Sequence, residues 1–253
     1  MSEYDRNYFI FAGASSADFG IYINGNKTFN TPERVIETAV IPGRHGDLLM
    51  DTGRFSNIDH TYDAFAFENF RVNLSKLQNH LFSKTGYQRL EDSYHPDEFY
   101  LAVYKASMDV EAFADLHAGT FPITFNRKPQ RYLKSGERRV TYSSSSNMTY
   151  NSSLGKYAGS IFNPTDQTSK PLIRVYGTGE LGIGSETITI TSNPGYIDLD
   201  CDAEDAYYQE ATNCNDKIVL SSGDFPKLKP GKTGITKASS ISTIEIIPRW
   251  WRI

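Results

Sequence analysis

Short segments in which apolar and polar residues alternate make up most of the chain. Alternation with a period of two is typical of β-strands that bury one face. In the first half it predicts strands at 8–11, 19–23, 34–41, 58–67, 98–110 and 121–125. In the second half it predicts strands at 172–176, 186–191, 196–202, 217–220 and 241–247. The chain is therefore expected to be mainly β.

One segment follows a helical period instead. Phe70, Leu74, Leu77 and Leu81 recur at steps of four, three and four, which places them on one stripe of an α-helix. The predicted helix runs from Asn69 to about residue 83, and its other side is polar. Because an isolated helix of about 15 residues is marginal in water, we expect this one to pack on a sheet.

The composition changes between residues 131 and 155. A charged stretch at 134–139 is followed by the polar, serine-rich stretch 142–147, which lacks a hydrophobic period. A chain of 253 residues is also near the size at which one core gives way to two domains. We predict two domains, 1–132 and 133–253. The short strands of the second domain, separated by Gly and Pro, favour a β-sandwich.

Charge and apolar content exclude two classes of partner. The net charge is -4, and residues 1–132 contain 13 Lys and Arg against 17 Asp and Glu, while residues 133–253 contain 13 of each. No basic surface for specific nucleic-acid binding is expected. The apolar runs are far shorter than the roughly 20 residues of a membrane span. The acidic N-terminus lacks the pattern of a secretory signal, so we expect cytoplasmic synthesis, with Cys201 and Cys214 as thiols.

Two motifs have a chemical and a structural interpretation. The glycines of 177–182 have the spacing of a dinucleotide-binding loop, but a strand-like pattern follows where that loop needs a helix, so we interpret them as a strand connection. The acids of 198–205 could bind calcium. Their alternation with apolar residues instead predicts a strand whose acids face solvent and whose Cys201 is buried.

No complete catalytic constellation is present. The five histidines are far apart, and no serine-hydrolase elbow or redox cysteine pair occurs. We expect no metal, no cofactor and no enzymatic activity, although carboxylate pairs of a wall-degrading hydrolase stay open, because their spacing is spatial. The 16 tyrosines and two tryptophans could include stacking platforms for sugars, and Trp250 and Trp251 are expected to anchor the chain end.

Several ordered segments together resemble the distal tail protein (Dit) family of long-tailed phages that infect Gram-positive bacteria. The segments that carry the resemblance are 9–13 with 19–21, 41–49 with 53–55, 94–97, 125–133 and 247–251. The resemblance implies an N-terminal domain like tail-tube proteins, a β-sandwich or barrel, and a galectin-like C-terminal β-sandwich.

The resemblance also implies a structural function at the virion tail tip. A homo-hexameric ring would join the tail tube protein to the tail-tip, host-adsorption protein, and DNA would leave through its channel. The alternative is a module that binds cell-wall carbohydrate through the C-terminal sandwich. An acidic N-terminal half suits the wall of a DNA channel, because like charge prevents phosphates from sticking.

Within the ring hypothesis, four charged residues are candidates for contacts between subunits: Arg44, Asp47, Asp51 and Arg54. They crowd a glycine-punctuated segment, where complementary signs could fix the register of neighbouring copies. The other interpretation is a mobile surface loop whose ion pairs contribute little.

Overall fold

A computed structural model describes residues 6–25, 30–67, 69–113 and 118–253. It divides the chain into two compact units, Met1–Arg131 with Ile253 and Tyr132–Arg252. The described residues form antiparallel sheets and one α-helix, so the prediction of a mainly β chain is confirmed. No helix in the described ranges is long and apolar enough to span a membrane.

The elements of the first unit are β1 (Phe9–Phe11), β2 (Ala14–Ser15), β3 (Tyr22–Ile23), β4 (Arg34–Ala39), β5 (Leu48–Phe55), β6 (Ile58–Ala66), α1 (Phe70–Phe82), β7 (Gln88–Asp92), β8 (Glu98–Tyr104), β9 (Glu111–Phe113) and β10 (Ala118–Arg127). A short 3-10 helix occupies Ser16–Phe19. One large antiparallel sheet has the strand order β2-β1-β7-β8-β10-β6-β3, and β9 pairs with β10. A separate two-stranded sheet contains β4 and β5.

Helix α1 confirms the prediction from the leucine spacing. The helix lies between Asn69 and Ser83, and Phe70, Leu77 and Leu81 are buried in the core of the first unit. The Phe70 ring lies 5.9 Å from the Phe121 ring of β10, which shows that the helix packs on the sheet. Burial of each such side chain contributes about 2 kcal/mol, which offsets the marginal stability of a short helix.

Two predicted strands extend at least three residues beyond the observed ones, and these predictions were wrong. Phe19 lies in the 3-10 helix, because Ser15 and Asp18 form a capping box around that turn. Strand β8 ends at Tyr104 and does not continue to Val110. The alternation of apolar and polar residues continues past the hydrogen-bonded ladder there, so the pattern alone overestimates the strand length.

The strands of the second unit are β12 (Val140–Ser143), β13 (Thr149–Asn151), β14 (Lys156–Asn163), β15 (Leu172–Gly177), β16 (Gly179–Ile183), β17 (Glu186–Ile190), β18 (Ile197–Asp200), β19 (Asp205–Tyr208), β20 (Thr212–Asn213), β21 (Ile218–Leu220), β22 (Gly231–Lys237) and β23 (Ile241–Ile247). They form a sandwich of two six-stranded sheets, with strand orders β12-β23-β15-β18-β19-β20 and β13-β14-β22-β16-β17-β21. Its core is largely isoleucine, leucine and valine from both sheets. Two further short strands are β11 (Arg131–Leu133), which spans the division between the units, and β24 (Trp251–Arg252).

The acidic strand β18 corrects a prediction. Cys201, just beyond it, is buried as predicted, and burial raises the pKa of its thiol to about 12. Asp198 is also buried and does not face solvent, because Arg174 of β15 binds it through two hydrogen bonds of 2.7 and 2.8 Å. Asp200 accepts two hydrogen bonds, of 2.6 and 2.9 Å, from Arg249. These hydrogen bonds from Arg249 are the main reason why the pKa of the Asp200 carboxyl is lowered.

The glycine-rich segment is a strand connection. Gly177 ends β15 and Gly179 begins β16, with φ values of 107° and 120°. A Cβ atom on Gly177 would lie 2.3 Å from the Ser240 carbonyl oxygen, so the close approach of two backbones requires glycine here. No helix follows, and no phosphate loop is formed.

Candidate assembly interface

Strands β4 and β5 form a hairpin that is separate from both large sheets, and we call residues 34–55 the arm. Five backbone pairs join its strands, from Arg34 with Phe55 to Ala39 with Leu48, and the register shifts between Arg34 and Ile36. Neither strand pairs with any other strand in the described ranges. A two-stranded hairpin is marginally stable alone, so the arm is a structure that gains from further contacts.

The register shift is held by polar contacts. The Gly53 N–H donates to Asp51 Oδ1 at 2.9 Å, and Gly53 adopts a φ of 71°, which favours glycine. Arg34 Nη1 donates to Asp51 Oδ2 at 2.5 Å, and the Thr52 hydroxyl donates to the Val35 carbonyl at 2.7 Å. The Gly53 hydrogen bond, followed by Arg34, lowers the pKa of the Asp51 carboxyl. These contacts stabilise the irregular pairing, although none of the side chains of β4 and β5 is fully buried.

Apolar side chains project from both faces of the arm and are exposed to solvent. Because directly paired residues point to the same side of a sheet, Leu48 and Met50 lie on one face with their partners, and Leu49 and Ile36 lie on the other. The most exposed are Val40 at 81% and Leu49 at 65%. The remaining exposed members of the set are Ile36, Ile41, Leu48 and Met50. Such a concentration of exposed apolar residues is typical of surfaces that bind other proteins, which makes the arm a candidate interface.

The structure places all four predicted interface residues on the arm. Arg44 and Asp47 lie in the loop between the strands, and Asp51 and Arg54 lie on β5. All four are exposed. Asp51 is bound to Arg34 of its own chain. Within residues 6–25, 30–67, 69–113 and 118–253, the Arg44, Asp47 and Arg54 side chains make no hydrogen bond or ion pair, so they are available to a partner.

The sequence analysis missed the apolar half of this surface. Segment 48–55 was interpreted as a glycine-punctuated segment, and the structure makes it the eight-residue strand β5. The available signal was the pair of short apolar runs, Val40-Ile41 and Leu48-Leu49-Met50, on either side of a glycine-containing turn. No metal-binding group of three His, Cys, Asp or Glu side chains occurs in the described parts of the chain.

Comparison with known proteins identifies the fold. No protein-family model matches the sequence, and no curated protein matches it significantly. Among solved structures, the Dit protein (gp 19.1) of phage SPP1 matches with a TM-score of 0.71 over 98% of this chain and 99% of that one, at 15% identity. The chain has the fold of the phage Dit protein. The resemblance seen in the sequence is thereby confirmed at the level of the fold.

Two baseplate structures share the Dit fold at lower similarity. They are those of phage P2 in its activated conformation, with Ca and with Sr. Their TM-scores are 0.52 and 0.53 and their identities 11% and 12%, covering 96% and 98% of this chain and 98% of each of theirs. The SPP1 Dit protein is described as a paradigm of the hub adsorption apparatus in phages that infect Gram-positive bacteria.

Proposed function

We propose that this chain is a structural, non-enzymatic hub of a phage tail tip, made in the host cytoplasm and built into the virion. The observation that carries the proposal is the Dit fold, which spans 98% of the chain and 99% of the SPP1 protein, so that both units have a counterpart. The exposed apolar arm adds support, because a hub needs surfaces that neighbouring subunits cover.

The finer proposal is a ring of six copies that joins the tail tube protein to the tail-tip protein and lets DNA pass. A ring of identical subunits needs two different surfaces that meet head to tail. The arm suits this geometry, since apolar residues on both faces can be covered from two sides. Arg44, Asp47 and Arg54 then supply charges of both signs that fix the register between neighbours.

The mass of the full chain in solution tests the ring. Sedimentation analysis over a range of concentrations is expected to show a species six times the mass of the chain. Leu49→Glu should dissociate it, because a charge replaces an apolar side chain in the covered surface. The matched control is Val72→Glu on helix α1, where a similarly exposed apolar residue, at 55%, lies away from the arm. If both variants, or neither, change the mass, the arm is not the interface.

The charged residues have a separate test. The pair of substitutions Asp47→Asn and Arg54→Gln leaves the apolar surface intact and removes one charge of each sign. We expect a weaker assembly whose dissociation depends less on salt concentration than that of the wild type. An unchanged assembly would reject the contribution of these charges while leaving the apolar arm in place. Labelled antibody on intact virions tests the location at the tail tip, and label on the head would contradict it.

A second candidate function is carbohydrate binding by the sandwich of the second unit. Exposed aromatic residues favour it: Phe162 is 66% exposed, and Tyr150 is 53% exposed with its ring 5.3 Å from that of Tyr157. Aromatic faces stack on the apolar faces of sugars. Binding of the full chain to purified cell-wall glycans, and its loss in Tyr150→Ala or Phe162→Ala, would support this function. Release of soluble fragments from the wall would contradict the non-enzymatic proposal.

A further inference from the structure

A cavity of about 150 Å³ lies in the first unit at the root of the arm. Residues 30–32, which lead into β4, line one part of it together with Ile58, the first residue of β6. His95, Arg127 and Arg131 line another part. A water molecule takes about 30 Å³ in the liquid, so the space accommodates a group of about five heavy atoms.

Arg127 is buried beside this cavity without a carboxylate partner. The residue is 4% exposed, its Nη2 donates to the Asn30 carbonyl at 3.4 Å, and its Cζ lies 4.2 Å from the centroid of the Tyr100 ring. Its Nε has no hydrogen-bond acceptor, and within the residues that the structure describes no carboxylate forms an ion pair with it. A buried guanidinium without an anion is costly, and water would satisfy its N–H group but not its charge.

The two nearby carboxylates are engaged elsewhere. Asp92 accepts a hydrogen bond of 2.9 Å from the Tyr62 hydroxyl and one of 2.8 Å from the His95 N–H. Glu98 faces Arg131 at 3.6 Å, and Arg131 also donates to the main-chain oxygen of Ile253. Neither Asp92 nor Glu98 forms an ion pair with Arg127, whose buried guanidinium lines the cavity.

We infer that this cavity is an oxyanion site, in which one carboxylate or phosphate group binds the guanidinium of Arg127. Arg131 also lines the cavity, and its charge is paired with that of Glu98. Guanidinium groups bind planar or tetrahedral oxyanions through paired N–H donors, which gives the bound state its geometry. The anion has two possible sources with the same chemistry: a free ion from solution, or the acidic side chain of a second copy of this chain.

Inorganic phosphate and acetate are the probes. Each is titrated into the full chain by calorimetry at constant ionic strength, with chloride as the reference salt. The wild-type chain is expected to bind one phosphate saturably, and saturation should lower its apparent unfolding constant at least about tenfold. Arg127→Met should abolish both effects. Arg71→Met is the matched control, because that arginine is exposed on α1, and it should leave both effects unchanged.

A second variant, Arg127→Lys, tests the proposal even if Arg127→Met folds poorly. Arg127→Lys keeps the charge and loses the paired donors, so it should bind phosphate at least about tenfold more weakly than the wild type. Absence of phosphate and acetate binding by the wild-type chain, or equal binding by Arg127→Lys and the wild type, would overturn the site.

Sedimentation distinguishes the two sources. If the natural anion is an acidic side chain of a second copy, phosphate competes with it and lowers the mass of any assembly, as does Arg127→Met. If the natural anion is a free ion, phosphate binds without changing the mass. The site does not depend on the proposed ring, because binding to a chain dissociated by Leu49→Glu is measured in the same way.

Discussion

His60 gives the first unit a defined dependence on pH. Its side chain is 3% exposed, neither ring nitrogen has a hydrogen-bond partner, and its ring lies 4.5 Å from that of Tyr62. Burial, followed by the charge of Arg127, lowers its pKa from 6.5 to about 4, although Asp92 acts in the opposite direction. The folded unit therefore holds this histidine neutral under conditions in which the unfolded chain protonates it.

The size of the effect follows from the two pKa values. Because the folded-state pKa is the lower one, the unfolded chain binds more protons below about pH 6.5, and acid favours unfolding. The contribution of His60 to stability is complete above pH 6.5 and decreases as the pH falls towards 4. Each pH unit in this window removes about 1.4 kcal/mol, which gives a loss of about 2 kcal/mol at pH 5 and about 3 kcal/mol at pH 4.

Urea unfolding at pH 7 and pH 5 measures this difference. The chain contains two tryptophans, Trp250 and Trp251, and both lie in the second unit. Tryptophan fluorescence therefore follows the second unit, while far-UV circular dichroism follows both, and the difference between them reports the first unit. His60→Leu is expected to remove about 2 kcal/mol of the pH dependence of the first unit. His45→Leu, at an exposed position of the arm, is the control and should retain all of it.

The reasoning is refuted if His60→Leu and the wild-type chain lose the same free energy of unfolding between pH 7 and pH 5.

Three further predictions concern the second unit. Asp198→Asn should cost about 2 kcal/mol in urea unfolding, because it removes the charge of a buried carboxylate that binds the partly exposed Arg174 through two hydrogen bonds. Asp202→Asn, at an exposed carboxylate, should change stability by less than about 0.5 kcal/mol. Gly177→Ala should lower the free energy of unfolding by about 2 kcal/mol through strain and a backbone clash, while Gly234→Ala, with open space at its Cβ position, should not destabilise the unit by more than about 1 kcal/mol. Iodoacetamide at pH 8 should leave Cys201 unmodified in the native chain and modify it in urea, as mass spectrometry can show, because the thiolate is the reactive form and the raised pKa suppresses it.

The fold was predictable wherever one periodic pattern dominated. The helical spacing of Phe70, Leu77 and Leu81 predicted helix α1, because this spacing indicates both the type of element and the face that is buried. Central strands such as β6 and β23 were found for the same reason, because each buries one face and alternates clearly.

The arm was harder to predict because it has no buried face. Alternation is a signal of one-sided burial, and β5 is exposed along nearly its whole length. Its apolar residues are exposed, so no core contact fixes their pattern. The charged residues around its glycines were found, since their position in a polar, glycine-rich segment is visible in one sequence.

The partners of buried charged residues could not be predicted from the alternation pattern either. Alternation assigned Asp198 correctly to the face opposite the core, but it could not show that Arg174 from a neighbouring strand would cover it. The environment of Arg127 is a similar case, because residues 30–32 and 95 meet it only in three dimensions. Spatial partners that are distant in the chain require the folded structure.

The free edges of the arm have a consequence for how intermediates behave. Each unpaired strand edge carries a row of open N–H and C=O groups that can recruit another edge. A closed ring whose arms paired edge to edge would have no unpaired strand edge. Every open, linear intermediate would have two unpaired edges, one at each end. Open oligomers would then associate more readily than closed rings. In such an assembly, subunit addition would be cooperative, and monomers and closed rings would outnumber the intermediates.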